Sequence, residues 1–241
     1  MVFAIIVRLG RKGERHGQKD ECTWRSGRDY SAKEAMRQAI EYLQTEGINV
    51  IEMLTTDVLV KSSVVEGVKQ NTEEADMILI GDKAILEAAG IQESKRLQEA
   101  AEDVFLKMFL RYLEKNRNRI WLMADSQEEL DSFEEILRER YPKVRIMGGA
   151  VVPEHAESDD MIVNEINGLE IDCILSELDL AEREAFIARN RIIVNARVWL
   201  RVGKQLRLQE TETGFRKSVY GFVRKFILKK EIERENRRRD Q

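Results

Sequence analysis

The chemistry in this chain is carried first by carboxylates that follow short apolar runs. Gly81-Asp82 follows Met77–Ile80, and Glu177 and Asp179 follow Ile171–Leu175. In open α/β sheets, ligands bind outside the carboxyl ends of the strands. A carboxylate there acts as a general base when a substrate hydroxyl reaches it. The same residue type also caps helices, because its oxygen accepts a hydrogen bond from an orphan N–H of the first turn. For Asp82 both readings stay open; for Asp179 capping is the expected role. Two glycine segments come next. Gly10-Arg11-Lys12-Gly13-Glu14-Arg15-His16-Gly17 is basic and suits an anion, yet it matches neither the dinucleotide fingerprint nor the P-loop. It reads as a surface loop. Gly148-Gly149 reads as a turn, with close backbone approach to a ligand as the other reading.

Other chemistries fall away by subtraction. His16 and His155 are the only histidines and each stands alone, so neither a zinc cluster nor a Ser-His-Asp device is marked. No metal and no cofactor is expected. Cys22 and Cys173 are far apart and outside any Cys-x-x-Cys, so no disulfide framework is expected, which fits a reducing compartment.

The elements that would position these groups alternate along the chain. Strands are expected at Val2–Val7, Asn49–Leu54, Met77–Ile80, Ile120–Ala124, Val144–Met147, Ile171–Leu175 and Ile192–Leu200. Helices are expected at Ser31–Gln44, Leu59–Thr72, Lys83–Ala89, Glu93–Asn116, Ser126–Arg140, Ser158–Ile166 and Leu180–Asn190. Ser31 followed by Glu34, and Ser126 followed by Glu129, are capping pairs; Gly90 stops one helix and Pro142 another. Strands alternating with helices build a parallel sheet covered on both faces. The expected fold is therefore a single α/β, Rossmann-like domain with a mostly parallel sheet, over residues 1–214.

Residues 215–241 differ in kind. From Arg216 they hold ten Lys or Arg and four Asp or Glu, a net +6, interleaved with Val219, Tyr220, Phe222, Val223, Phe226, Ile227 and Leu228. A basic amphipathic helix is expected there. A solvated helix, a membrane-surface helix and an oligomer contact all stay open for it. A nucleic-acid arm lacks a base-stacking platform elsewhere, and no nucleic-acid partner is expected. The 241-residue chain has 40 Lys+Arg, 44 Asp+Glu and 43% apolar residues. That composition fits a globular core and excludes a polycation. No apolar run approaches the length of a membrane span, and the start has no basic leader, so a cytoplasmic protein is expected.

Three further stretches carry a resemblance. They are Leu137-Arg138-Glu139-Arg140-Tyr141-Pro142-Lys143-Val144-Arg145-Ile146-Met147-Gly148, then Ile166-Asn167 with Ile171-Asp172-Cys173-Ile174-Leu175, then Glu184-Ala185-Phe186-Ile187-Ala188-Arg189-Asn190. In that order and spacing they are similar to the motifs of the WecG/TagA/CpsF family, glycosyltransferase family 26. Thr55-Thr56-Asp57 is similar to its T-x-N, and Glu74-Ala75-Asp76-Met77-Ile78-Leu79 to its E-A-D-L-V-L, which leads into P-D-G. Glu102-Asp103-Val104-Phe105 falls near its G-S-D-L-F.

The resemblance implies a metal-independent transfer of an N-acetyl-hexosamine-type sugar from a UDP-sugar. The acceptor it implies is lipid-linked, at the inner face of the plasma membrane, in cell-envelope polysaccharide synthesis. The basic tail would then be the membrane contact. The departures are as informative. The family's P-D-G carries the proposed catalytic Asp, and Gly81 stands at that position; Asp82 follows one place later. G-S-P-K-Q-E-x-W reads Asp179-Leu180-Ala181-Glu182-Arg183-Glu184-Ala185-Phe186, and G-V-G-G-A-F-D reads Arg201-Val202-Gly203-Lys204-Gln205-Leu206-Arg207. On the transferase reading, Asp82 is the displaced base, and Thr55, Asp57, Asp103, Arg183 and Glu184 contact substrate. The alternative is a catalytically inactive member kept as a binding or assembly partner. A third reading is an unrelated ligand-binding α/β protein. A homo-oligomer stays open on each.

Overall fold

The structure is a computed structural model that describes residues 30–64, 72, 74–152, 159–178 and 181–203. The strand expected at Val2–Val7, the basic glycine segment, Cys22, His16, His155, Asp179 and the tail at 215–241 lie outside the described residues.

Six strands form one all-parallel sheet. They are β1 (Asn49–Leu54), β2 (Met77–Ile80), β3 (Arg119–Ala124), β4 (Arg145–Val151), β5 (Cys173–Glu177) and β6 (Val198–Arg201), in the order β2-β1-β6-β5-β3-β4. The helices between them are α1 (Ala32–Tyr42), α2 (Thr56–Val64), α3 (Lys83–Ala88), α4 (Ser94–Ala101), α5 (Val104–Asn116), α6 (Gln127–Arg140), α7 (Asp159–Gly168) and α8 (Ala181–Asn190). Parallel strands need crossover connections, and helices supply them while covering the sheet. The expected Rossmann-like α/β domain is what the described residues build. Among them, no helix is long and apolar enough to cross a membrane.

Alternating strand residues feed two cores, as the period of two requires. Ile51, Met53, Ile120, Leu122, Leu175 and Leu200 pack against α1, α5 and α6 on one face. Leu54, Ile78, Trp121, Ile174 and Trp199 pack against α2, α3, α7 and α8 on the other. Trp121 and Trp199 are fully buried, and Phe186 of α8 meets the Trp199 ring at 5.8 Å between centroids. The second face is also tied by charge: the buried Asp159 of α7 accepts from Arg189 Nε at 2.8 Å and Asn190 Nδ2 at 2.7 Å.

Local signals explain most helix ends. Ser31 and Glu34 form a reciprocal capping box, with Glu34 N donating to Ser31 Oγ at 3.3 Å and Ser31 N to Glu34 Oε2 at 2.9 Å. Ser126 Oγ accepts from Glu129 N at 3.2 Å. α3 ends as Gly90 takes φ +79°, a left-handed turn that glycine adopts without a side-chain penalty.

Four expectations need correction. The single helix expected over Glu93–Asn116 is two, α4 and α5, because Asp103 breaks it in the left-handed region at φ 49°. The helix expected to begin at Leu59 begins at Thr56, and the strand expected from Ile192 begins only at Val198. Gly148-Gly149 is no turn but the middle of β4. The register shifts between Ile120 and Trp121, which sets Trp121 against Gly148 and Leu122 against Gly149. A Cβ on Gly148 would lie 2.6 Å from the Trp121 ring, and one on Gly149 would lie 3.1 Å from the Leu122 carbonyl oxygen. These glycines make room for a core indole and a neighbouring strand rather than for a ligand.

Candidate active site

The carboxyl ends of β1 and β2 are level: Leu54 pairs with Ile80, and Gly81 N donates to Leu54 O at 2.9 Å. Beyond that last rung the two chains part into α2 and α3, and the strand-end crevice at which open α/β sheets bind ligands would lie between their first turns. Thr55 caps α2, its Oγ1 accepting from Val58 N at 3.2 Å. Asp82 caps α3, its Oδ1 accepting from Ala84 N at 2.9 Å. Thr56 bridges the crevice: its hydroxyl hydrogen-bonds Asp82 Oδ2, and the residue is only 7% exposed. Both Asp82 oxygens are thus held, one by its own helix and one by the loop after the neighbouring strand.

The other expected site residues scatter around this point. Asp57 pairs with Lys61 at 2.8 Å on the outside of α2, and its side chain is 67% exposed. Such an i,i+4 pair contributes roughly 0.3–0.5 kcal/mol and does not hold Asp57 in the crevice. Gly81 and Asp103 line a small cleft on the α1 and α5 side of the sheet, with Tyr30, Arg96 and Glu99. Its volume is about 20 Å³, room for a water and not for a sugar. Arg96 and Glu99 pair there at 2.7 Å, and Glu99 also accepts from Ala32 N at 3.0 Å, which fastens α4 to the start of α1. Asp103 therefore faces the opposite side of the sheet from the Thr56–Asp82 bridge. Its left-handed backbone is a costly conformation for a residue with a Cβ, though Asp tolerates it better than most. Arg183 and Glu184 fall in the first turns of α8, after β5, and their side chains lie outside the described residues. β6 separates β5 from β1, which is two ladder spacings, about 10 Å.

Between those two groups lie buried polar residues, of which the sequence pattern marked only Glu177, expected just after the strand and found as its last residue. Glu52 of β1 and Arg201 of β6 are register partners and form an ion pair, 4% and 5% exposed at their side chains. Ser176 of β5 is the register partner of Arg201 on its other side, and its Oγ accepts from Trp199 Nε1 at 2.9 Å. Glu177, the last residue of β5, is buried too. A buried charge is rare unless paired. The signal was present as a Glu inside Asn-Val-Ile-Glu-Met-Leu, a strand with no other charge. Together Asp82, Thr56, Glu52, Arg201, Ser176 and Glu177 make the carboxyl half of β2-β1-β6-β5 its polar part. Cys173 lies deeper in β5; burial, with the nearby Asp172 charge, pushes its thiol pKa well above the ordinary value. It remains a protonated core residue rather than a nucleophile.

A carboxylate at a crevice edge, buried charge behind it and no described thiol or imidazole nucleophile together suit proton abstraction from a hydroxyl. The sequence model of the glycosyl transferase WecG/TagA/CpsF family matches residues 27–209, about three-quarters of the chain. No curated protein matches it. The match takes in all six strands and every site residue above, and on it the chain belongs to the WecG/TagA/CpsF family of glycosyl transferases.

Proposed function

We propose that this protein transfers an N-acetyl-hexosamine-type sugar from a UDP-sugar to a lipid-linked acceptor in cell-envelope polysaccharide synthesis, with Asp82 as the general base. One observation carries the reading: among the described residues at the carboxyl ends of β1 and β2, Asp82 is held on both carboxylate oxygens while Asp57 faces solvent. In the reaction, Asp82 takes the proton from the acceptor hydroxyl. The hydroxyl oxygen forms a bond to the anomeric carbon, the bond from that carbon to the diphosphate breaks, and UDP leaves with the electron pair. Thr55, Asp57, Asp103, Arg183 and Glu184 are the proposed substrate contacts. Asp57 lies on the outside of α2 and Asp103 on the other side of the sheet from Asp82, so their contribution is smaller. The lipid acceptor places the reaction at the inner membrane face, with the basic residues of 215–241 as the membrane contact.

The test is UDP release from UDP-N-acetyl-hexosamines in the presence of a short-chain prenyl-diphosphate-linked N-acetylglucosamine. Asp82→Asn lowers turnover by about 10²–10⁴-fold if Asp82 is the base. A full rate in Asp82→Asn sinks that assignment. For the tail, removal of residues 215–241 releases the protein from anionic liposomes, and salt weakens binding by the intact chain. Retention by the shortened chain would refute the membrane contact.

A second reading is favoured by Gly81, which occupies the place of the family's proposed catalytic Asp, and by the ordinary capping geometry of Asp82. On it the protein binds without turnover and serves as an assembly partner. Calorimetric titration with UDP, without and then with Mg²⁺, separates the two when set beside the rate. Binding with no UDP release in the acceptor assay favours the inactive partner.

A further inference from the structure

We propose that Thr56 is the positioning residue that fixes the Asp82 carboxylate for proton abstraction. The inference rests on the reading of Asp82 as the base. The cap of α3 needs only Oδ1, which accepts from Ala84 N. A carboxylate held at one oxygen still turns about its last torsion, which is broad and roughly two-fold. The Thr56 hydroxyl on Oδ2 removes that freedom. The two donors belong to different elements, α3 and the first turn of α2, and those elements start from paired strand ends. The carboxylate plane is therefore referred to the sheet and not to one loop. Thr56 is buried, so no water competes readily for its hydroxyl. Each carboxylate oxygen has two acceptor sites, so Oδ2 keeps one for the incoming proton. The bond also couples the loop after β1 to the residue displaced by one place from the family's Asp. It supplies a physical reason why a carboxylate one position late still sits in the crevice.

The experiment measures kcat and KM for the UDP-sugar in the full-length protein and in Thr56→Val, Thr56→Ser and Asp82→Asn, with the melting temperature of each. Valine keeps the shape and removes the hydroxyl; serine keeps the hydroxyl. Thr56→Val is expected to lower kcat by about 10–100-fold, the scale of a misplaced catalytic group, with KM within about two-fold. Thr56→Ser is expected to return kcat to within about three-fold of the parent. A merely structural threonine would lower the melting temperature in Thr56→Val and leave kcat of the folded fraction unchanged, which overturns the positioning role. Equal loss in Thr56→Ser and Thr56→Val also overturns it. An inactive Asp82→Asn beside a fully active Thr56→Val sinks the positioning role alone. A fully active Asp82→Asn, or a parent protein with no turnover, sinks the base reading and this one with it.

Discussion

The Glu52–Arg201 pair shows how a single side chain in this sheet is constrained by its partner. Two charges leave water to sit on β1 and β6, and their mutual attraction offsets part of that desolvation. Arg201→Met removes the cation paired with the buried Glu52 carboxylate and is expected to cost about 3–5 kcal/mol in denaturant unfolding. Adding Glu52→Leu to Arg201→Met should recover most of that loss. A single variant as stable as the parent would mean that water reaches the pair. Cys173 gives a pH signature of the opposite kind. Its thiol is wholly buried, and that burial raises its pKa well above that of an ordinary thiol, so the folded state holds the proton longer than the unfolded chain. The stability it supports is therefore complete below about pH 9 and declines as pH rises above that, by at most about 1.4 kcal/mol per unit. Cys173→Ala is expected to be less stable at neutral pH but to lose less between pH 8.5 and 9.5, roughly the window of an ordinary thiol. Parallel declines in the two proteins would show that other groups set the alkaline limb. Of the candidate residues, Asp82 and Thr55 stand at the ends of β2 and β1 as the strand pattern predicts, but nothing in the sequence warned of Thr56, because a hydroxyl that bonds across two loops leaves no local pattern.

Elements with local causes were legible, and those with tertiary causes were not. The capping pairs at Ser31 and Ser126, and the stop at Gly90, act within a turn or two of their own chain, and each sits where its residues predict. The break at Asp103 has no proline or glycine to announce it; α5 packs on α1 while α4 runs along the cleft beside α3, and one straight helix cannot do both. The glycine pair failed for a related reason. Two adjacent glycines after a predicted strand look like a turn, yet the smallness of Gly148 answers Trp121, 27 positions earlier in the chain and one strand away in space. Gly148→Ala is therefore expected to destabilise by about 1–3 kcal/mol, since the new methyl meets a fully buried indole with nowhere to turn. Chemical denaturation with tryptophan fluorescence reads both the loss and any change around Trp121. An unchanged midpoint would show that β4, an edge strand, shifts outward without cost.

The alternation of strands and helices gave a parallel α/β sheet, but no feature of the sequence orders its strands. Order depends on which way each crossover turns, and β6, the last strand described, wedges between β1 and β5 in the centre. All four of its residues are buried, and it pairs with Asn49–Glu52 on one side and Cys173–Ser176 on the other. The crevice at β1 and the first turn of α8 after β5 are thus joined only through a strand that arrives late in the chain. Such long-range pairing makes folding wait on loop closure over most of the domain. It also means that losing β6 does not trim the fold but splits it, exposing two apolar strand edges in the middle of the sheet. A chain ended after Asn195 is expected to aggregate or to unfold without cooperativity, although every other described strand and helix is retained. The full chain under the same conditions should show one cooperative transition by circular dichroism. A soluble 1–195 fragment with a sharp transition would mean that β1 and β5 close on each other directly, and the Glu52–Arg201 pair would then have no part in holding the two halves of the site together.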